Sequence, residues 1–346
     1  MHRTSLLVPI LAVGCASAPP EPEGPPELRV IAESLTRWTG VATTADGRVF
    51  VNYPRWSDNV SISVAELKSG LPVPYPKGRW NSWSQSADPT ERFVCVQSVV
   101  VDDAGFLWAL DAANPRFEGV VEGAPKLVQI DPRTDSVVEV FRFDSTVAPG
   151  NSYLNDVRID TAARVAYITD SEAAALVVVD LSTGASRRVL DDHSSTKAED
   201  ISLTIDGEPW DRVVHADAIA LSPDRSMLYY KALTGRTLYR VPTAALRDDS
   251  LDEAALGARV ERVADVGPTD GIAFGADGSL YLTAIDQNAI RRMTPDGNVE
   301  LVVADPRLSW PDSLAIAADG AVLVTTAQIH LDDSVEEPFR VIRFEP

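Results

Sequence analysis

The strongest constraint on this chain is a sixfold repeat, in which a polar lead residue precedes a short apolar strand, a tight turn and a second strand. The six lead residues are Thr39, Gln97, Asn155, Asp217, Asp270 and Asp312. Turns such as 276–278 (Ala-Asp-Gly) follow them, and Gly accepts the positive φ that hairpin turns require. The lead residues recur at intervals within reach of a propeller blade's period once loops are allowed for. The sequence therefore predicts an all-β, six-bladed β-propeller with four-stranded antiparallel blades.

The last repeat is one strand short. After Asp312 the sequence offers only three strands, over residues 314–317, 321–325 and 339–344. An apolar strand near residues 27–32 is available to complete that blade. Pairing the first strand with the last closes the ring and hides two sheet edges that would otherwise invite aggregation. We therefore predict a single propeller domain over residues 27–346.

The first 26 residues have the pattern of a targeting segment. A short positive start and an apolar run over residues 6–13 precede Cys15, as in the lipobox of bacterial lipoproteins. We expect a lipoprotein signal peptide over residues 1–15, lipidation at Cys15 and a proline-rich tether over residues 16–26. Ordinary signal cleavage after Ala18 is the alternative. Both interpretations of this segment predict export. The lipoprotein signal peptide also predicts that a lipid anchor at the cell envelope is the chain's contact with the membrane.

Charge and composition exclude several classes of partner. The net charge is −20, which argues against nucleic acid because phosphates require clustered Lys and Arg. Solubility explains this charge, and attraction of cationic ligands is the alternative. The sequence has no phosphate-binding glycine loop, so we expect no nucleotide cofactor. Cys95 is the one cysteine of the folded part, so we expect no disulfide there. We expect a monomer.

Several short stretches resemble the yellow and major royal jelly proteins in their order and spacing. They include residues 52–56, 74–76, 96–102, 107–111, 131–135, 218–223 and 229–239. The last stretch is typical of the bacterial branch and contains Lys231, a candidate ligand-binding residue. The resemblance runs from about Ser34 to Thr326.

This resemblance implies a six-bladed propeller that is usually secreted. Insect members include dopachrome-converting enzymes, and relatives in insect saliva bind biogenic amines. Bacterial members are described as dopachrome-tautomerase-related. A more distant similarity exists to the gluconolactonase-type propellers, and kinship of fold does not settle function.

The lead residues should meet around the propeller axis, because the innermost strand of each blade lines the channel. Three carboxylates, Asp217, Asp270 and Asp312, would then converge with two amides, Asn155 and Gln97, near one mouth. Crowded carboxylates raise each other's pKa. Three alternatives would compensate this negative charge: a bound cation, protons that the carboxyl groups retain, or capping by backbone N–H groups. We take Gln97 as a ligand-binding candidate.

A set of oxygen ligands suits Ca²⁺ or another hard divalent cation. We predict that Asn155, Asp217 and Asp270 hold this ion and that Asp312 moves a proton. The gluconolactonase resemblance implies metal ligands from the same column, but Thr39 stands where those enzymes have Glu. The alternative for each residue is a side chain that caps a neighbouring turn without any ligand.

The loops that enter the inner strands carry five tryptophans, which are expected to form the pocket rim. They are Trp56, Trp80, Trp83, Trp210 and Trp310, of which Trp80 and Trp310 are our ligand-binding candidates. An aromatic ring beside an anion suits a cationic or aromatic ligand. The excursion over residues 193–215 is a candidate lid, and His193 or His215 at its ends is a candidate general base. The alternative places each histidine in an ordinary surface loop.

We therefore expect a propeller that binds a small molecule at its acidic channel mouth and converts it, by isomerisation or by lactonase-like hydrolysis. A non-catalytic binder of amines or aromatic metabolites is the first alternative. A protein-interaction propeller is the second.

Overall fold

A computed structural model describes residues 24–332 and 334–346 of the chain. Strand β1 (Arg29–Ser34) comes first and belongs to the last blade. The strands of the first three blades are β2 (Val41–Thr43), β3 (Val49–Asn52), β4 (Val64–Lys68) and β5 (Leu71–Pro74), then β6 (Val96–Val101), β7 (Leu107–Asp111), β8 (Lys126–Asp131) and β9 (Ser136–Arg142), then β10 (Leu154–Asp160), β11 (Val165–Asp170), β12 (Ala175–Asp180) and β13 (Ser186–Val189).

A two-stranded hairpin, β14 (Leu203–Ile205) and β15 (Glu208–Trp210), separates the third blade from the fourth. The remaining strands are β16 (Ala216–Leu221), β17 (Met227–Ala232), β18 (Thr237–Pro242) and β19 (Glu261–Asp265), then β20 (Thr269–Phe274), β21 (Leu280–Ala284), β22 (Ala289–Met293) and β23 (Val299–Ala304), then β24 (Pro311–Ile316), β25 (Val322–Thr326) and β26 (Phe339–Phe344). Each blade is a four-stranded antiparallel sheet, so the predicted six-bladed propeller is confirmed.

The inner strands β2, β6, β10, β16, β20 and β24 contact one another in a closed ring around the channel. Hydrophobic clusters fill the spaces between blades; Tyr167 of the third blade and Tyr230 of the fourth share one of them. Neighbouring inner strands approach closely: a Cβ on Gly271 would lie 2.2 Å from the carbonyl oxygen of Asp312. Only glycine fits there, so packing around the axis selects this residue.

The ring closes as the sequence predicts. Strand β1 pairs antiparallel with β26, from Arg29 opposite Arg343 to Ser34 opposite Phe339. Ala32 of β1 is buried in the cluster that joins the last blade to the first. The closing strand thus covers both a sheet edge and part of the core.

Removing the closing strand should cost the chain much of its stability. A variant that starts at residue 35 exposes the edge of β26 and the core beneath it, so we expect its melting temperature to fall by about 10 °C or more, with aggregation. Thermal unfolding and size-exclusion chromatography measure both effects. A variant that starts at residue 24 keeps β1 and is the matched control. Equal melting temperatures for the two variants would contradict the closure.

Two short helices, α1 (Thr243–Leu246) and α2 (Glu253–Gly257), lie in the connection between β18 and β19. Single 3₁₀ turns span Pro115–Phe117, Pro306–Leu308 and Ile329–Leu331. Within residues 24–332 and 334–346, no helix has the length and hydropathy of a membrane span. The predicted signal peptide, Cys15 and the tether up to residue 23 lie outside the described residues.

Candidate functional site

Irregular strand pairing aims the lead residues into the channel. In five blades the register between the innermost strand and the next strand shifts at the lead residue. Such a bulge bends the strand locally and redirects its side chains. A threonine on the second strand fills the bulge in three blades: Thr169, Thr283 and Thr325 each accept a hydrogen bond from a backbone N–H of the inner strand. The propeller repeat therefore positions these side chains by backbone geometry.

The bulges bring five of the predicted site residues together at one mouth of the channel. A cavity of about 370 Å³ is lined by Gln97, Asn155, Asp217, Asp270 and Asp312. All five are buried, with exposed fractions of 3 to 7%. The sixth lead residue, Thr39, instead donates to the carbonyl oxygen of Gln97 at 2.9 Å. The floor of the cavity thus combines three carboxyl groups with two amides.

One hydrogen-bonded chain runs from the cavity wall to this floor. Trp56 Nε1 donates to the Tyr153 hydroxyl at 2.6 Å, and that hydroxyl donates to Gln97 Oε1 at 2.9 Å. Gln97 Nε2 then donates to Asn155 Oδ1 at 3.3 Å, and Asn155 Nδ2 donates to Asp217 Oδ2 at 2.8 Å. An indole N–H can only donate, so it sets the direction of every following bond. The chain therefore delivers a donor to Asp217.

The other two carboxyl groups have different partners. Trp310 Nε1 donates to Asp270 Oδ2 at 2.6 Å, and Trp310 is fully buried with φ at 50°. Left-handed backbone at a bulky residue is strained, and such strain is concentrated at functional sites. Asp312 Oδ1 accepts only from the hydroxyl of Ser313, at 3.1 Å, among the described residues. Because N–H donors favour the ionised form, Asp312 is the carboxyl group best suited to keep its proton.

Burial raises the pKa of all three carboxyl groups, and the charges of neighbouring carboxylates, Asp156 among them, raise it further. Burial is the main cause for Asp270 and raises its pKa to about 7. Burial, and next the charge of Asp270, raise the pKa of Asp217 and that of Asp312 well above the ordinary range. Carboxyl groups that titrate near neutral pH can act as general acids or bases.

A buried ion pair lies deeper in the channel. Asp156 follows the lead residue Asn155, and its carboxylate lies 3.8 Å from the guanidinium of Arg158. Arg158 also donates to the carbonyl oxygens of Val157 and Ile272. It lines a separate cavity of about 340 Å³ that opens among the turns at the other end of the inner strands. Sequence analysis missed this pair, although Asp156 stands beside a lead residue.

Lys231 lies beside the floor but does not line the cavity. It occupies the place in the fourth blade that threonine fills in the third, fifth and sixth, opposite the bulge at Asp217. Its buried Nζ donates to the carbonyl oxygens of Ala232, Gly235 and Thr269 at 2.6 to 3.3 Å. Burial lowers its pKa to about 8, while the charge of Asp217 opposes this shift. The structure therefore places Lys231 beside the floor as a buried counter-charge, outside the lining of the cavity in which we predicted a ligand contact.

Lys231→Met should destabilise the protein by about 3 kcal/mol at neutral pH, because three carbonyl oxygens lose a donor and the acidic floor loses a buried counter-charge. Urea unfolding measures this change in the free energy of unfolding. Lys68→Met, at a half-exposed lysine paired with Glu66, is the control and should change it by less than about 1 kcal/mol. Equal effects of the two substitutions would contradict the role of Lys231.

Aromatic side chains form the wall above the floor: Trp56, Phe117, Tyr153, Trp210 and Trp310. The ring of Phe117 stacks on Tyr153 with centroids 4.7 Å apart, and Trp210 meets Trp310 edge-on at 5.1 Å. Arg37, Glu172 and Arg212 contribute charged groups to the lining. The predicted lid segment, residues 193–215, contributes to the cavity wall. Its hairpin β14–β15 supplies Trp210, and residues 212–214 also line the cavity.

Trp80 and His193, by contrast, lie away from this cavity. Trp80 packs against Phe93 with ring centroids 5.1 Å apart, inside the core between the first two blades. His193 Nδ1 bonds to the hydroxyl of Ser195 at 2.8 Å, and its ring lies against Gly257. The structure therefore places both side chains outside the lining of the cavity in which we predicted a ligand contact and a general base.

Three residues of the cavity wall or rim stand two residues before a lead residue. Of these, only Trp310 was predicted from the sequence to line the site. Trp310 stands two residues before Asp312, as Tyr153 stands two before Asn155 and Arg37 two before Thr39. All three line the cavity. Aligning that position across the blades would have revealed Tyr153 and Arg37.

The three residues predicted to hold a divalent cation lie side by side, but their orientation is that of a hydrogen-bonded set. Asn155 turns its Nδ2 toward Asp217, and the indole N–H of Trp310 occupies one oxygen of Asp270. Among the described residues, no group of three or more His, Cys, Asp or Glu has a metal-binding arrangement. An ion between Asn155 and Asp217 would require the amide to turn over. The divalent cation stays a prediction that metal analysis can check.

Solved structures that superpose on this fold include several enzymes. A luciferin-regenerating enzyme superposes with a TM-score of 0.58 at 13% identity, covering 93% of this chain and 95% of that one. A gluconolactonase from Xanthomonas campestris gives a TM-score of 0.57 at 14% identity, covering 92% and 89%. At this level of identity the likeness shows the fold alone.

Two sequence relatives are proteins of Apis mellifera. Major royal jelly protein 5 is 25% identical over 263 residues, which is 70% of this chain and 42% of that protein. Major royal jelly protein 1 is 24% identical over 221 residues, 58% of this chain and 49% of that protein. The matched region therefore spans less than half of each relative. Residues 94–336, well over half of this chain, match the family described as Major royal jelly protein, and the chain belongs to that family.

Proposed function

We propose that this propeller binds an aromatic, positively charged small molecule at the acidic channel mouth and converts it by proton transfer. One observation carries the proposal: three buried carboxyl groups with raised pKa form the floor of a cavity whose wall is aromatic. Aromatic faces and carboxylates both attract cations, and buried carboxyl groups of raised pKa are typical of acid–base sites.

The chain's own residues suggest separate roles. Asp217 and Asp270 accept N–H donors, so their negative charge faces the cationic group of the ligand. Asp312 keeps its proton more readily and donates it to a ligand atom, and a neighbouring carboxylate accepts a proton in exchange. The aromatic wall excludes water and orients the ring. Such an exchange isomerises the ligand without changing its atoms.

Binding and turnover of two probes test this function. Dopamine, an aromatic amine, should bind with measurable heat in calorimetry, and dopachrome should be consumed faster than in a protein-free blank. Asp217→Asn should weaken dopamine binding about tenfold or more, because an amide cannot ionise to balance the charge of the bound cation. Absence of binding to dopamine and to a wider panel of aromatic amines would contradict the proposal.

A divalent cation on Asn155, Asp217 and Asp270 is a second form of the proposal, in which the ion would polarise a substrate oxygen. Elemental analysis and melting before and after EDTA distinguish the two forms. Because the amide nitrogen of Asn155 faces Asp217, we expect no stoichiometric metal and no change in melting. One equivalent of Ca²⁺ with a clear drop in melting after chelation would instead establish the metal form and bring lactones into the screen.

A non-catalytic binder of amines is the second candidate, favoured by the aromatic rings around the floor. It predicts tight dopamine binding with no turnover of any probe. We further propose export with lipidation at Cys15, which mass spectrometry of the membrane fraction would check.

A further inference from the structure

The hairpin formed by β14 and β15 belongs to none of the six blades. Its two strands pair only with each other, from Leu203 opposite Trp210 to Ile205 opposite Glu208. The hairpin covers part of the acidic cavity, because Trp210 and residues 212–214 line the wall. An isolated two-stranded hairpin is marginally stable in water, so its position depends on the side chains that attach it to the propeller.

The chain on either side of the hairpin is fastened to the fourth blade. Before the hairpin, the Glu199 carboxylate accepts from the backbone N–H groups of residues 236 and 237, at 3.1 and 3.0 Å. After it, the Val214 N–H donates to the Thr234 hydroxyl at 3.0 Å, and the Thr234 N–H donates to the Val214 carbonyl oxygen at 3.1 Å. Among the described residues, no backbone–backbone hydrogen bond joins residues 202–213 to a blade. The hairpin is therefore free to swing about these two fixed ends without disturbing a blade.

Side chains attach the far end of the hairpin to the fifth and sixth blades. Asp206, at the turn, accepts from Asn288 Nδ2 at 2.7 Å and pairs with His330 Nε2 at 2.9 Å. Arg212, just after the hairpin, pairs with Asp332. The apolar side chains of the hairpin also share a hydrophobic cluster with residues of both blades. These contacts hold the hairpin over the cavity.

The same contact buries polar atoms that have no partner. Asn288 Oδ1, His330 Nδ1 and Trp210 Nε1 are buried and make no hydrogen bond with any of the described residues. A buried polar atom without a partner loses the hydrogen bonds that water would supply. Opening the hairpin would hydrate all three atoms, at the cost of the apolar packing and the bonds of Asp206. These opposing contributions favour a hairpin that moves between a closed and an open position.

We propose that the β14–β15 hairpin is a lid over the acidic cavity and that Asp206 is its latch. The closed lid places Trp210 in the wall, and the open lid widens the mouth through which the ligand enters and leaves. The inference rests on the proposed function for the ligand that passes the lid, whereas the movement is a property of the free protein. The movement and the gating are therefore tested separately.

Amide hydrogen exchange of the free protein tests the movement. The amides of β14 and β15 should exchange at least about tenfold faster than those of β16 and β17, because a released hairpin has no sheet to support it. Asp206→Gly should accelerate their exchange about tenfold further, since glycine accepts the positive φ of this position but has no side chain to latch the hairpin.

Asp192→Gly is the matched control for this substitution. Asp192 also has a positive φ, and its carboxylate pairs with a half-exposed lysine, Lys197, so its loss should leave the exchange of the hairpin unchanged. Exchange of β14 and β15 as slow as that of β16 and β17 in the unmodified protein overturns the inference. Equal effects of the two substitutions also overturn it, because the carboxylate of Asp206 would then hold nothing.

Stopped-flow binding of dopamine tests the gating. Asp206→Gly should raise both the association and the dissociation rate constants about fivefold or more, because a lid that opens more often admits and releases the ligand more often. Unchanged rate constants beside faster exchange overturn the lid, since the hairpin would then move without controlling entry. Failure of the unmodified protein to bind dopamine or any other aromatic amine overturns the proposed function instead, and the exchange measurement still decides whether the hairpin opens.

Discussion

Raising the pH from about 5 to about 8 should lower the free energy of unfolding of the ligand-free protein, and Asp270→Asn should remove a large part of this loss. The folded-state pKa of Asp270 is raised to about 7 from its ordinary value of 3.8. Between these two values the folded protein binds a proton that the unfolded chain has released. Stability therefore falls as the pH rises through this window.

The expected size of this effect is large. A shift of this extent corresponds to a total loss on the order of 4 kcal/mol for Asp270 alone, of which roughly 3 kcal/mol falls between about pH 5 and about pH 8. Asp217 and Asp312 act in the same direction, since burial and neighbouring carboxylates raise their pKa too. Asparagine has nearly the same shape and no charge, so Asp270→Asn should be more stable than the unmodified protein at about pH 8, and this advantage should shrink as the pH falls to about 5.

Urea unfolding at several pH values measures this dependence. Asp200→Asn, at an exposed aspartate, serves as the control and should leave the slope unchanged. If the free energy of unfolding of Asp270→Asn varied with pH in parallel with that of the unmodified protein, the Asp270 carboxyl group would have an ordinary pKa. The acid–base proposal would then lose its basis.

Asp312→Asn should reduce turnover of a converted probe by about a hundredfold or more, while dopamine binding changes by no more than about twofold. This difference between the effect on turnover and the effect on binding follows from the hydrogen bonds of the three carboxyl groups on the floor. Asp312 is the carboxyl group without an N–H donor among the described residues, so it is the one best suited to keep a proton. Asparagine matches the protonated carboxyl group in charge but cannot release a proton.

Asp217→Asn is the matched comparison, because it removes a charge that the chain from Trp56 to Asn155 supports. Calorimetry with dopamine and dopachrome consumption should be measured on both variants. Loss of binding in Asp312→Asn, with Asp217→Asn unaffected, would reverse the assigned roles. Unchanged turnover in Asp312→Asn would remove Asp312 from the mechanism.

The sixfold repeat made it possible to predict the propeller architecture from the sequence. Each blade repeats the same local pattern: a polar lead residue, apolar strands and a tight turn such as 276–278. Because the pattern is local in the sequence, it can be recognised without knowledge of the tertiary contacts. Even the ring closure through β1 followed from counting strands, because an unpaired edge is unfavourable wherever it lies. The convergence of Asp217, Asp270 and Asp312 followed from the same repeat, since equivalent positions of a propeller meet at its axis.

Roles that depend on direction and distance required the tertiary structure. Trp80 and Trp310 look alike in the sequence, yet one packs in the core against Phe93 and the other donates to Asp270. Lys231 became a buried counter-charge because its strand register places it behind a bulge. By itself, the sequence determined the propeller, its closure and its acidic column, because these follow from periodic local patterns. Only the tertiary structure decided which side chains face the cavity and which hydrogen-bond donors each acid receives, because those depend on contacts between residues far apart in the chain.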